Sequence, residues 1–196
     1  LSELTRLRQL RCDPALVYEN YEGGSAKLDL CIELIQSAVE SGHKILLFSQ
    51  FTSMIEILTA RLQEESISYF VLQGSTKKEQ RAQMVEQFNR DDTSVFCISL
   101  KAGGTGLNLT GADIVIHYDP WWNVAVENQA TDRAHRIGQK NVVTVYKLIA
   151  KGTIEEKIIK LQQMKKELAE EILSGDEIKT ASFQREELLE LLEERF

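Results

Sequence analysis

The stretch Gln-Ala-Thr-Asp-Arg-Ala-His-Arg-Ile-Gly-Gln, residues 129 to 139, holds two arginines three residues apart, a glutamine at each end, an aspartate and a histidine. Guanidinium groups are planar, permanently charged and forked, so a pair at this spacing suits a phosphate. Read as a continuous helix over 124–138, the stretch projects Gln129, Arg133 and Arg136 from one face. Asp132 and Arg136 are also spaced for an i, i+4 ion pair, the ordinary reason for such a pattern on a solvated helix. That pair accounts for Arg136 and leaves Arg133 without a role. The concentration of positive donors stands out in a chain whose net charge is −7.

A second stretch, SLKAGGTGLNLTGAD at 99–113, puts Gly103, Gly104 and Gly106 directly after an apolar run. Glycines there either let the backbone approach a ligand, with Ser99 and Thr105 as hydroxyl donors, or simply make a tight turn. Between the two lie Pro120, Trp121 and Trp122; one ring suits a core and the other an exposed stacking surface or wedge. Other nucleotide motifs fail. No GxxxxGK[ST] phosphate loop is present, and Leu109 occupies the third glycine position of a GxGxxG fingerprint. The acidic run at 175–179 follows an amphipathic helix rather than a buried strand and reads as a helix end. His117 ends an apolar run and reads as a core or rim residue rather than a base.

These residues need a scaffold, and the hydrophobic pattern supplies one. Leu28, Cys31, Ile32, Ile35 and Val39 recur at helical spacing, and a short continuous apolar run, KILLFS, follows. The alternation repeats. A helix opens at Thr52 or Ser53, a strand covers 67–74, and a helix capped by Ser75 or Thr76 covers 77–89. Strands follow at 94–100, 113–119 and 142–149. Continuous apolar strands alternating with helices predict a parallel sheet covered on both faces. After Thr153 the pattern changes to a long amphipathic helix, with Thr153 and Glu156 in a capping box and Ile154, Ile158, Leu161, Leu168 and Ile172 in a stripe. A second short amphipathic helix is expected at 183–196. Both could pack on the body or on a partner.

Charge and cysteine usage narrow the class. The last 33 residues hold ten acids and five bases, so the remaining 163 stand at only −2. The body is near neutral, which argues against broad nonspecific coating of DNA but not against local phosphate contacts. Cys12, Cys31 and Cys97 are odd in number and widely spaced, which disfavours a disulfide framework or zinc site and fits an intracellular setting. No long uncharged apolar run marks a membrane span. A start at leucine within an apparent helix is what a piece of a longer chain would show.

In order along the chain, KILLFSQF, LQGSTKKEQRAQMVEQFN, KAGGTGLNLTGAD, DPWWN and QATDRAHRIGQ resemble the C-terminal RecA-like lobe of the Swi/Snf family of superfamily-two DNA translocases. LTRLRQLRCDPAL at 4–16 is similar to the segment before that lobe, and TIEEKI at 153–158 to the start of its closing helices. The resemblance implies an α/β RecA-like three-layer fold. It divides the chain into an N-terminal helical segment at 1–24, the lobe at 25–152 and closing helices at 153–196. It implies that Arg133 and Arg136 are arginine fingers for the γ-phosphate, worth roughly 10³ to 10⁵ in rate, and that Gln129, Gly104 and Gly106 contact nucleotide. Ser99, Lys101, Gly103 and Thr105 then belong to the loop coupling the ATP cleft to DNA. Ser49, Gln50, Gly74, Ser75 and Arg81 grip DNA phosphates, and Trp122 meets the groove. Where many members read WNP, this chain reads WNV with a second tryptophan at 121. ATP and magnesium would be held mainly by a first RecA-like lobe outside this sequence, and the track would be double-stranded DNA. A non-catalytic interaction module of the same fold, and a lobe of an RNA helicase, use the same features.

Overall fold

The computed structural model describes residues 2–100, 102, 107–121, 123–136 and 138–174. The expectations for Lys101, Gly103, Gly104, Thr105, Gly106, Trp122 and a helix at 183–196 lie outside the described residues. Five parallel strands form one sheet: β1 (Ile45–Ser49), β2 (Tyr69–Leu72), β3 (Val95–Ser99), β4 (Ile114–His117) and β5 (Thr144–Lys147), in the order β2-β3-β1-β4-β5. The helices are α1 (Ser2–Cys12), α2 (Ala26–Glu40), α3 (Thr52–Glu64), α4 (Lys78–Arg90), α5 (Val124–Thr131) and α6 (Ile154–Ser174).

The continuous apolar runs become the central strands because both their faces are covered. Every residue of β1 and β3 is buried. Successive side chains of a strand point to opposite faces. Ile45 and Leu47 accordingly join Leu28, Ile32, Ile35, Met54, Ile55 and Leu58 of α2 and α3 in one core cluster. Leu46 and Phe48 join Phe88 of α4 and Ala130 of α5 in the other. The result is a three-layer α/β/α body of the RecA-like kind. β5 is the exception, exposed at all four residues because it forms an edge of the sheet.

The connection from β1 leads to one edge of the sheet and that from β4 to the other, so their carboxyl ends diverge at a topological switch point. The flanking helices close on the same body. Arg8 of α1 donates to the Pro120 carbonyl at 2.9 Å, and the Tyr118 hydroxyl donates to the Cys12 carbonyl at 2.8 Å. From α6, Ile154, Ile158 and Leu161 are buried and Glu155 pairs with Lys27 at 2.5 Å.

Three local expectations are corrected. The helix expected over 124–138 ends at Thr131 and gives way to turns. The Arg133 carbonyl accepts from the Leu109 amide at 3.0 Å, a tertiary bond that competes with the helix ladder. α4 starts at Lys78 without a side-chain cap, because the Thr76 hydroxyl accepts from the Gln73 amide. At α6 the capping box is displaced: Thr153 Oγ1 accepts from the Glu155 amide, and the Glu156 carboxylate reaches back to the Gly152 amide at 2.8 Å.

Candidate functional site

Ser49, Gln50, Ser99 and Arg81 lie at the carboxyl ends of the central strands or join the loops that follow the strands. Ser49 and Ser99 end the adjacent strands β1 and β3 in register, and both are buried. Ser49 Oγ donates to Asp119 Oδ1 at 2.6 Å, and the Gln50 amide donates to both Asp119 oxygens at 3.3 Å. Burial pushes the Asp119 carboxyl up from its ordinary pKa, against the opposing pull of the Ser49 and Gln50 bonds. Asp119 therefore fastens the end of β1 to the turn after β4, across the switch point. The Ser49 hydroxyl is thus engaged within the chain. Gln50 is buried too, and its Nε2 has no partner among the described residues.

Gly74 and Ser75 are exposed in the loop after β2, and a side chain added at Gly74 would meet open space. Arg81, in the first turn of α4, donates to the Ala102 carbonyl at 3.0 Å and the Thr76 carbonyl at 3.4 Å. It thereby ties the loop after β2 to the loop after β3. The Arg81 Nε is a further buried nitrogen without a partner among the described residues.

Arg133 is 4% exposed, its guanidinium lies 5.7 Å from the Phe48 ring centre, and its Nη1 has no partner among the described residues. Its pKa is pushed down to about 10, first by burial and then by the like charges of Arg136 and Arg81. No carboxylate is among the causes acting on Arg133. The expected Asp132–Arg136 ion pair is not formed: Arg136 Nε donates to the Asp132 backbone carbonyl at 3.1 Å. Gln129, Arg133 and Arg136 do not share a helix face, because only Gln129 lies within α5. Gln129 and Arg136 are exposed, whereas Arg133 is buried. The turn bearing the arginines is held by Gln139, whose Nε2 donates toward the carbonyls of Ala112 (2.7 Å), Thr110 (3.2 Å) and Ala134 (3.3 Å).

Of the two tryptophans, Trp121 packs inward against the second core cluster, with the Arg8 guanidinium 5.5 Å from its ring. His117 is buried, stacks on Phe48 at 5.5 Å and bonds Thr131 Oγ1 through Nε2 at 3.0 Å. Burial pushes its pKa down to about 4, with Glu127 opposing and Lys147 adding. That keeps it a neutral core residue. Cys31 is likewise inert: burial pushes its thiol up to about 12. Among the described residues no group of three or more His, Cys, Asp or Glu side chains is placed to hold a metal ion, and no helix is long and apolar enough to cross a membrane.

The helicase conserved C-terminal domain family matches residues 26–138, which run from α2 through strands β1 to β4 to the arginine turn. The SWI2/SNF2 ATPase C-terminal domain of Sulfolobus solfataricus superposes with a TM-score of 0.70 at 35% identity, covering 87% of this chain and 71% of that one. The chain belongs to the Swi2/Snf2 family of helicase C-terminal domains. An uncharacterized ATP-dependent helicase of Mycoplasma pneumoniae is 45% identical over 98% of this Swi2/Snf2 domain, and the putative ATP-dependent helicase/translocase YwqA of Bacillus subtilis is 43% identical over 90%. The domain spans only 19% and 20% of those two proteins.

Three groups that hold the Swi2/Snf2 site together escaped the sequence reading: Asp119, Glu127 and Gln139. Each is polar, close to a recognised motif and buried or half-buried. Their partners lie far along the chain, 70 residues away for Ser49–Asp119. A carboxylate directly after an apolar strand was the one available signal for Asp119.

Proposed function

We propose that this chain is the second motor lobe of an ATP-dependent translocase of double-stranded DNA. Arg133 and Arg136 act as arginine fingers toward ATP bound on a first lobe, and the loops after β1, β2, β3 and β4 form half of the DNA track. The observation that carries this reading is Arg133, a guanidinium buried in a Swi2/Snf2 lobe with no carboxylate partner among the described residues. Burying a guanidinium without a counter-charge is costly, and an arriving polyanion offsets that cost. The partnerless nitrogens of Gln50, Arg81 and Arg133 suit the same kind of ligand.

The chemistry of this lobe is then positioning and charge stabilisation. Arg133, stiffened by Phe48 and the Gln139-held turn, would meet the negative charge that develops on the transferring phosphoryl group. Arg136 would add a second, more mobile contact, with Gln129, Gly104 and Gly106 at the nucleotide. Magnesium, the phosphate loop and the group that orients water are assigned to the first lobe, whose carboxylates would hold the metal. On the DNA side, Gly74 and Ser75 in the β2 loop, with Lys101, Gly103 and Thr105 after β3, would take backbone phosphates. Arg81, Ser49 and Ser99 would hold those loops, and Trp122 would reach the groove while Trp121 anchors the turn. Description of the Bacillus relative as a helicase/translocase supports movement along nucleic acid. The buried free thiols support an intracellular setting.

The test compares this chain alone with the same chain joined to its native upstream sequence. The isolated chain is expected to hydrolyse essentially no ATP, and the joined protein to hydrolyse it with stimulation by duplex DNA. DNA-stimulated turnover by the isolated chain contradicts the division of labour. Stronger stimulation by single-stranded RNA than by duplex DNA contradicts the substrate.

A further inference from the structure

Glu127, in the first turn of α5, is 1% exposed and has both carboxylate oxygens engaged. Its Oε1 accepts from the Trp121 amide at 2.7 Å and from Gln162 Nε2 of α6 at 3.2 Å. Its Oε2 accepts from Lys147 Nζ of β5 at 2.5 Å. Gln162 Nε2 also donates to the Trp121 carbonyl. One carboxylate and one amide therefore hold both backbone polar groups of a single residue. The segment 118–121 has no strand or helix ladder of its own. Its shape is set instead by these bonds, by Asp119 on the β1 side and by Arg8 on Pro120.

A carboxylate kept only to pair with Lys147 would need neither bond to the turn. The shared Gln162 makes α6, the turn and α5 one network, in which displacing the helix removes a donor from Glu127 and from Trp121 together. We propose that Glu127 is a positioning residue that makes the shape of the Tyr118–Trp121 turn depend on the seating of α6. The closing helix thereby governs how the turn presents the adjacent tryptophan to duplex DNA. This last consequence rests on the DNA reading of the turn given above.

Both tryptophans of the chain, Trp121 and Trp122, are adjacent in sequence at this turn, so tryptophan emission, excited selectively over the tyrosines, reports the turn. Two variants probe the network from opposite sides. Glu127→Gln keeps size and one acceptor while removing the charge, and Gln162→Met keeps length while losing both donations. Each is expected to raise the acrylamide quenching constant roughly twofold through local opening, and the double variant to add little because the bonds are shared. In the protein joined to its native upstream sequence, each raises the duplex DNA concentration for half-maximal ATP turnover about tenfold, leaving turnover at saturating DNA within about twofold. Unchanged quenching in both variants overturns the proposal, whatever happens to the melting temperature. Raised quenching with an unchanged DNA requirement supports Glu127 as a positioning residue and overturns the assignment of the turn to DNA.

Discussion

Two clusters of buried charge lie at opposite ends of the eight-residue helix α5, and they differ in how completely they are satisfied. At its start, Glu127 has donors on both oxygens, all from this chain. Just past its end, Arg133 is nearly as buried, lacks a partner at Nη1 among the described residues, and feels two further arginines. A satisfied cluster fixes geometry before any ligand arrives, which is what a scaffold requires. An unsatisfied one lowers the stability of the lobe by itself and is tolerated where it meets a ligand. The contrast separates groups satisfied within this chain from groups that, under the proposed function, await a ligand.

The largest effect should come from breaking the satisfied cluster. Glu127→Ala leaves the buried Trp121 amide without its acceptor and removes one bond each from Gln162 and the exposed Lys147, and is expected to cost about 3 kcal/mol in urea unfolding of this chain. A loss below about 1 kcal/mol would mean that the cluster holds little.

His117 lies between the two clusters, and acid tests it. Its folded pKa, about 4, is below the ordinary 6.5, so between those values the unfolded chain binds a proton that the folded chain refuses. Its contribution, of the order of 3 kcal/mol, is complete above 6.5 and is lost as pH falls toward 4. Asp119, raised by burial, works in the opposite sense by favouring the folded form on acidification. The stability gap between wild type and His117→Gln should therefore narrow as pH falls through this window; a constant gap would show that His117 does not titrate there.

The unsatisfied cluster should respond with the reverse sign. Arg133→Met removes a buried charge that has like-charged neighbours, and is expected to leave stability unchanged or raise it by up to about 1 kcal/mol. A clear destabilisation would place Arg133 with the scaffold and erase the distinction. Smallest of all, Asp132→Asn should leave the melting temperature within about 2 °C, because Arg136 bonds the Asp132 carbonyl and not its carboxylate.

Sequence pattern and structure agree best where local chemistry decides. The fully buried ILLFS and VFCIS strands, and the helix stripe of Leu28, Ile32 and Ile35, follow from apolar periodicity alone. The arginine pair stands out in the sequence, but neither the Asp132–Arg136 ion pair nor the shared helix face expected of it is formed. The end of α5 was not legible, because the Leu109 amide that takes the Arg133 carbonyl comes from a loop 24 residues earlier. Glu127 was hidden for the same reason: in sequence it is one more acidic residue on an amphipathic helix, and only the fold brings Lys147 and Gln162 to it. Helical periodicity placed Gln129 and Arg133 together, whereas the turn after Thr131 buries Arg133 and leaves Gln129 exposed.

The most direct test of the central claim is ATP binding and ATP turnover measured side by side, with and without Arg133→Ala, in the chain joined to its native upstream sequence. An arginine that acts on the transferring phosphoryl group predicts turnover at saturating duplex DNA lower by about 10³ or more, with ATP affinity within a few-fold of wild type. DNA-stimulated turnover that survives the substitution unchanged would contradict the account.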